Sequence, residues 1–118
     1  MILVDTSVWV DHLRRGDPAL QARLEAGEVL GHPFVTGELA LGNLADREAL
    51  LREFDRLPQA LVAAPAEVRA LIAAERLQGL GLGYIDAALL AAARLTPDAR
   101  LWTRDRRLAA AAARLGVG

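Results

Sequence analysis

The sequence predicts an α/β fold in three layers, with helices covering both faces of a central parallel sheet of four to five strands. Three observations carry that expectation. The chain opens on a short, wholly apolar run, Met1 to Val4, which is how a strand buried on both faces reads. Short strand-like runs then alternate with helical patterns, the signature of strand–helix–strand units. Finally, the segment Tyr84 to Leu95 is apolar on every side except at Asp86 and Arg94, so it suits a helix enclosed by other elements.

In chain order, the first strand ends at Asp5, and Thr6 to about Arg15 follows as a helix closed by Gly16. Asp17-Pro18 opens another helix, with an acid as cap and proline at the first helical position, and Gly27 ends it. Glu28 to His32 reads as a second strand. Pro33 begins a helix to about Leu44, and Asp46 caps one to Leu57, in which Leu50, Phe54 and Leu57 form the inward stripe and Glu48 pairs with Arg52. The short link between these two helices suggests an antiparallel hairpin. Pro58 stops it, and Gln59 to Ala63 is a weakly marked third strand. A helix from Ala64-Pro65 to about Gln78 leads into the flexible Gly79–Gly83 break, and then comes the apolar helix. Ala99 to Thr103 is the fourth strand, Asp105 to Leu115 the last helix, and Gly116 to Gly118 a minimal fifth strand.

With 118 residues the chain reads as a single domain, 1–118, and its 53% hydrophobic and 25% charged residues are those of a globular protein. No apolar run reaches the roughly 18 residues of a membrane span, and the opening run is too short for a secretory signal. The absence of cysteine removes disulfides, thiolate metal sites and cysteine nucleophiles, and a cytoplasmic location fits. A net charge of −1 excludes a uniformly basic nucleic-acid surface but leaves room for a local patch. Every basic residue is Arg, which suits bidentate phosphate contact and equally reflects a compositional bias.

Most of the 15 acids have ordinary roles as caps, turn residues or partners of Arg on polar helix faces. Asp5, Glu38, Asp86 and Asp105 stand in apolar settings instead. Asp5 and Asp105 each follow a strand directly, Asp86 is the lone acid of its helix, and Glu38 shares a helical face with Phe34 and Leu41. Taken singly, Asp5, Asp86 and Asp105 are well explained as helix caps. Together with Glu38 they would converge on a single cleft at the carboxyl edge of one parallel sheet, where ligands of α/β proteins bind. Crowded carboxylates raise one another's pKa unless a cation neutralises them. With no cysteine and two histidines, that cation would be a hard one held by oxygen, Mg²⁺ or Mn²⁺, as in metal-assisted phosphodiester hydrolysis.

The opening Ile-Leu-Val-Asp-Thr-Ser-Val-Trp-Val-Asp-His-Leu-Arg, the interior Glu38, the segment Tyr-Ile-Asp-Ala-Ala-Leu-Leu and the ending Leu-Trp-Thr-Arg-Asp-Arg-Arg-Leu resemble PIN-domain ribonucleases. They are most similar to the VapC toxins of type II toxin–antitoxin pairs, over the whole chain and in the same order. The resemblance implies strand order 3-2-1-4-5 and Mg²⁺ or Mn²⁺ bound by Asp5, Glu38, Asp86 and Asp105. Thr6 or Ser7, together with Thr103, would orient the ligands or the attacking water. The implied reaction is endonucleolytic cleavage of single-stranded RNA, tRNA or another structured RNA, leaving a 5′-phosphate and a 3′-hydroxyl. The implied partners are a cognate VapB-type antitoxin, whose tail would cover the acidic cleft and the helical hairpin, and a second copy in a homodimer.

Arg14, Arg15, Arg104, Arg106 and Arg107 flank this site as candidate phosphate contacts, with solvated helix ends as the alternative. Trp9, Trp102, His12 and His32 read as packing residues. A house-keeping RNA-processing nuclease and a non-catalytic metal-binding module remain open as alternatives. A phosphohydrolase with Asp5 as covalent nucleophile would place a second Asp two residues on, where Ser7 stands.

Overall fold

The computed structural model describes residues 1–118. Three parallel strands, β1 (Ile2–Val4), β2 (Val29–Leu30) and β3 (Arg100–Trp102), form a sheet in the order β2-β1-β3. Seven helices surround it: α1 (Thr6–Arg15), α2 (Pro18–Glu25), α3 (Pro33–Ala40), α4 (Arg47–Arg56), α5 (Pro65–Glu75), α6 (Tyr84–Leu95) and α7 (Arg106–Arg114).

The central strand is buried as its composition requires, with Leu3 and Val4 inaccessible to solvent. Its register sets Val4 opposite Trp102 of β3, and the main chain continues the ladder one step further, Asp5 N–H donating to the Trp102 carbonyl at 2.9 Å. That step aligns the residues that leave the two strands and creates the edge on which the candidate site stands. Sequence-expected strands three and five do not form. Gln59 makes one parallel bridge to Gly31, flanked by Gly31 N–H to Pro58 O and Ala60 N–H to Gly31 O. At the other edge Leu101 N–H donates to Val117 O at 2.6 Å. Pro58 has no N–H to offer, and of Leu61 and Val62, both half exposed, neither is held on a sheet face, so pairing stops after one rung.

α6 is the hydrophobic axle of the domain, with Ala87 to Ala93 all buried. Its small side chains let α5 and β3 approach closely, while Leu89 and Leu90 fill the main core together with Leu3, Trp9, Leu30 and Leu108. Leu89 is fully enclosed, so Leu89→Ala is expected to destabilise the fold by about 2–5 kcal/mol in chemical denaturation.

Two local expectations need correction. α3 stops at Ala40 rather than Leu44, and Leu41 beyond it is 90% exposed, so the Phe34–Glu38–Leu41 face points to solvent rather than into the core. Asp46 makes no side-chain cap; it takes a left-handed conformation, φ 48°, as the hinge between α3 and α4. His32 supplies a cap that the sequence reading passed over. Its buried Nδ1 accepts the Phe34 N–H at 3.0 Å, which requires the neutral ring, and burial lowers its pKa below 6.5.

Candidate active site

In parallel strand–helix units each helix returns antiparallel to its strands, so the start of α6 and the starts of the helices that follow β1 and β3 meet at the sheet's carboxyl edge. Asp5 ends β1 and precedes α1, Asp105 precedes α7, and Asp86 lies in the first turn of α6. Three helix N-termini thus aim their positive ends at one edge, an environment that favours anionic side chains.

The carboxylates are held in different ways. Asp5 is 7% exposed and, although it occupies the N-cap position of α1, its side chain caps nothing. Its Oδ2 accepts instead from Ser7 Oγ at 2.8 Å and Thr103 Oγ1 at 2.7 Å, while Oδ1 takes no protein hydrogen bond. The capping explanation of Asp5 therefore fails. Asp105 does cap, its Oδ1 accepting from the Arg107 and Leu108 N–H groups at 2.9 and 3.0 Å, which leaves Oδ2 free. Asp86 Oδ2 accepts the Gly83 N–H at 2.9 Å. Glu38, half buried on α3, is reached by Thr6 Oγ1, which donates to its Oε1 at 2.7 Å.

Each of the three hydroxyls singled out from the sequence thus contacts one of the four acids. Ser7 and Thr103 lie 3.3 Å apart, and Thr103 Oγ1 also accepts the Asp105 N–H at 3.1 Å, so one threonine ties Asp5 to the loop carrying Asp105. Thr103→Val deletes both links with little change in volume. Faster hydrogen exchange at the Asp105 amide is expected in this variant, with wild-type protection kept in Thr103→Ser.

Electrostatically, Asp86 records the crowding. Its carboxyl is pushed above the ordinary 3.8 first by desolvation and then by the negative charges of Asp5 and Asp105, against the pull of the Gly83 N–H. None of the protein's six ion pairs involves Asp5, Glu38, Asp86 or Asp105. The charge at this edge is therefore left without a protein counter-ion, and a set of oxygen donors alone suits a hard divalent cation. The acids do not, however, close into a preformed cage, because no three Asp, Glu or His side chains come within reach of one ion. The expected single cleft is an open edge, and the largest cavity, about 440 Å³, runs along β3 between α2 and α7 and touches only Thr103 of these residues. The oxygen donors suit Mg²⁺ or Mn²⁺ by their chemistry, while their placement does not gather three of them around one ion.

The flanking arginines divide. Arg14 and Arg106 make no ion pair, and neither does Arg107, whose guanidinium packs against the Gly81 backbone. Arg15 reaches Asp11 at 3.4 Å, and Arg104 bonds both Asp11 and Asp17. Asp11 is the participant the sequence reading missed. Its one local signal was the spacing of four to Arg15.

Asp5 and Asp105 at one strand edge, Asp86 opening the helix between them and Glu38 on the helix after the second strand keep the order on which the resemblance to PIN-domain ribonucleases was drawn. The chain belongs to the PIN-domain family, whose model matches residues 2–114. It is similar to two curated relatives, both called Ribonuclease VapC32, from the CDC 1551 / Oshkosh and ATCC 25618 / H37Rv strains of Mycobacterium tuberculosis. Each is 49% identical over 117 residues, covering 99% of this chain and 94% of the relative. The resemblance to VapC-type PIN ribonucleases drawn from the motifs is borne out.

Proposed function

We propose that this protein is a Mg²⁺- or Mn²⁺-dependent, single-strand-specific endoribonuclease that serves as the toxin of a toxin–antitoxin pair. In this reading it cleaves tRNA or another structured RNA, leaves a 5′-phosphate and a 3′-hydroxyl, and is restrained by a VapB-type antitoxin. What supports the proposal is that Asp86 feels the charges of Asp5 and Asp105 at one sheet edge, that Thr6 beside Asp5 bonds Glu38, and that none of the four carboxylates pairs with a basic side chain. The name shared by the two relatives, Ribonuclease VapC32, supports the same chemistry.

The bound cation would supply charge stabilisation at the phosphate and lower the pKa of the attacking water. Asp5, fixed through Oδ2, would present Oδ1 as its ligand oxygen, and Glu38 would present Oε2, because Oε1 is taken by Thr6. Asp105 keeps one oxygen in the α7 cap and offers the other. The unpaired Arg14, Arg106 and Arg107 would hold flanking phosphates, which position the strand without reading its sequence. Phe34 and Leu41, exposed on and just after the helix of Glu38, and Val10 and Leu13 on α1 offer apolar surface for the antitoxin or a second copy. No helix is long and apolar enough to cross a membrane.

The proposal is tested by expressing the chain alone and sequencing cellular RNA 5′-phosphate ends, beside Asp5→Ala. New, discrete ends and growth arrest with the wild type only are expected. Indistinguishable RNA and growth would refute the nuclease-toxin reading. Cleavage without growth arrest, from a gene lacking a neighbouring DNA-binding antitoxin, would place it among house-keeping nucleases.

A further inference from the structure

Arg104 stands between two residues of the candidate site, Thr103 and Asp105, yet its side chain turns away from both. One guanidinium nitrogen bonds Asp11 on α1 and the other bonds Asp17 at the start of α2, across 93 and 87 residues of sequence. The guanidinium also lies 5.9 Å from the centroid of the Trp102 ring. Its main-chain N–H donates to Ser7 Oγ at 3.0 Å, and Ser7 is the residue that donates to Asp5. Ser7 and Asp11 are four apart on α1 and so share a face, which makes Arg104 a staple along that face. Asp17 is simultaneously engaged by the Ala19 and Leu20 N–H groups, so the far end of the staple is itself fixed.

We infer that Arg104 is a positioning residue, which presents Thr103 and Asp105 to the metal-ligand set by tying their loop to α1 and α2, and is not a phosphate contact. This rests on the nuclease reading above. Both terminal nitrogens face carboxylates, so an RNA phosphate would have to displace a carboxylate to reach the guanidinium. The planar fork is what allows one side chain to span two acids, and lysine offers no such fork.

The test uses Arg104→Gln, Arg104→Lys and the double variant Asp11→Asn/Asp17→Asn, in which asparagine still caps α2. Three readouts are taken: kcat and KM on single-stranded RNA, the salt dependence of RNA binding, and hydrogen exchange at the Arg104 amide. Arg104→Gln and the double variant are both expected to lower kcat by about 10- to 100-fold, the range for groups that orient metal ligands. KM and the salt slope stay at their wild-type values, and the Arg104 amide exchanges faster. Arg104→Lys recovers only part of the rate. Weaker RNA binding in Arg104→Gln, with the salt slope reduced by about one and amide exchange unchanged, would establish a phosphate contact and overturn the inference. Unchanged kcat and exchange in both variants would overturn it as well. If the wild type cleaves no RNA, the nuclease reading falls, and amide exchange still decides whether Arg104 holds the loop.

Discussion

Asp5→Asn is expected to reduce RNA cleavage by about 10³-fold or more while leaving the protein folded. On the proposed metal-site reading the loss follows from removing a buried negative ligand, since metal charge stabilisation of several kcal/mol converts at about 1.36 kcal/mol per tenfold in rate. The fold survives because the amide has the volume of the carboxyl, and the two hydroxyls that donate to Oδ2, Ser7 and Thr103, can rotate to accept as well as donate. Steady-state kinetics beside a thermal melt measures both halves. Activity within about tenfold of the wild type would contradict the role given to Asp5.

Asp86→Asn is expected to abolish cleavage to a similar degree and, in the absence of divalent cations, to make the protein more stable at neutral pH. The sign follows from the raised pKa of the folded carboxyl. The folded state binds the Asp86 proton more tightly than the unfolded chain, so the unfolded chain releases it first as pH rises above 3.8. Stability is lost from there up to the folded pKa, and the loss persists at pH 7. Asparagine removes that penalty and keeps the bond from the Gly83 N–H through its carbonyl oxygen. Mn²⁺ reverses the ranking, because a ligand at 100 times its Kd stabilises the wild type by about 2.7 kcal/mol and the variant not at all. Melts from pH 4 to 7 with and without Mn²⁺ check the prediction. A variant less stable than the metal-free wild type at pH 7 would contradict it.

The parts of this molecule legible in its sequence are those set by local rules. Thr6–Arg15 and Tyr84–Leu95 were bounded correctly because a strand end, a glycine and an unbroken apolar face mark them. The candidate acids were legible as a set because three of them sit where strands end or helices begin, so parallel topology alone brings them to one edge. Asp5 shows the limit of the local rule, because as a single residue it reads as a cap, whereas its carboxylate takes the hydroxyls of Ser7, two positions on, and of Thr103, 98 positions away just past the adjacent strand. The outer strands were over-read because Gln59–Ala63 has apolar residues but one rung of pairing, with a proline just before it. Arg104 was read as a candidate phosphate contact or a solvated helix end because the two acids it bonds lie far off in sequence, and Asp11 was overlooked for the same reason.

The most direct test of the metal-site assignment is calorimetric titration of Mn²⁺ into the purified protein and into Asp5→Asn. Saturable binding to the wild type that disappears in the folded variant is the predicted result. No heat of binding to the wild type, or equal binding to both, would contradict the assignment of the four carboxylates as a metal-ligand set.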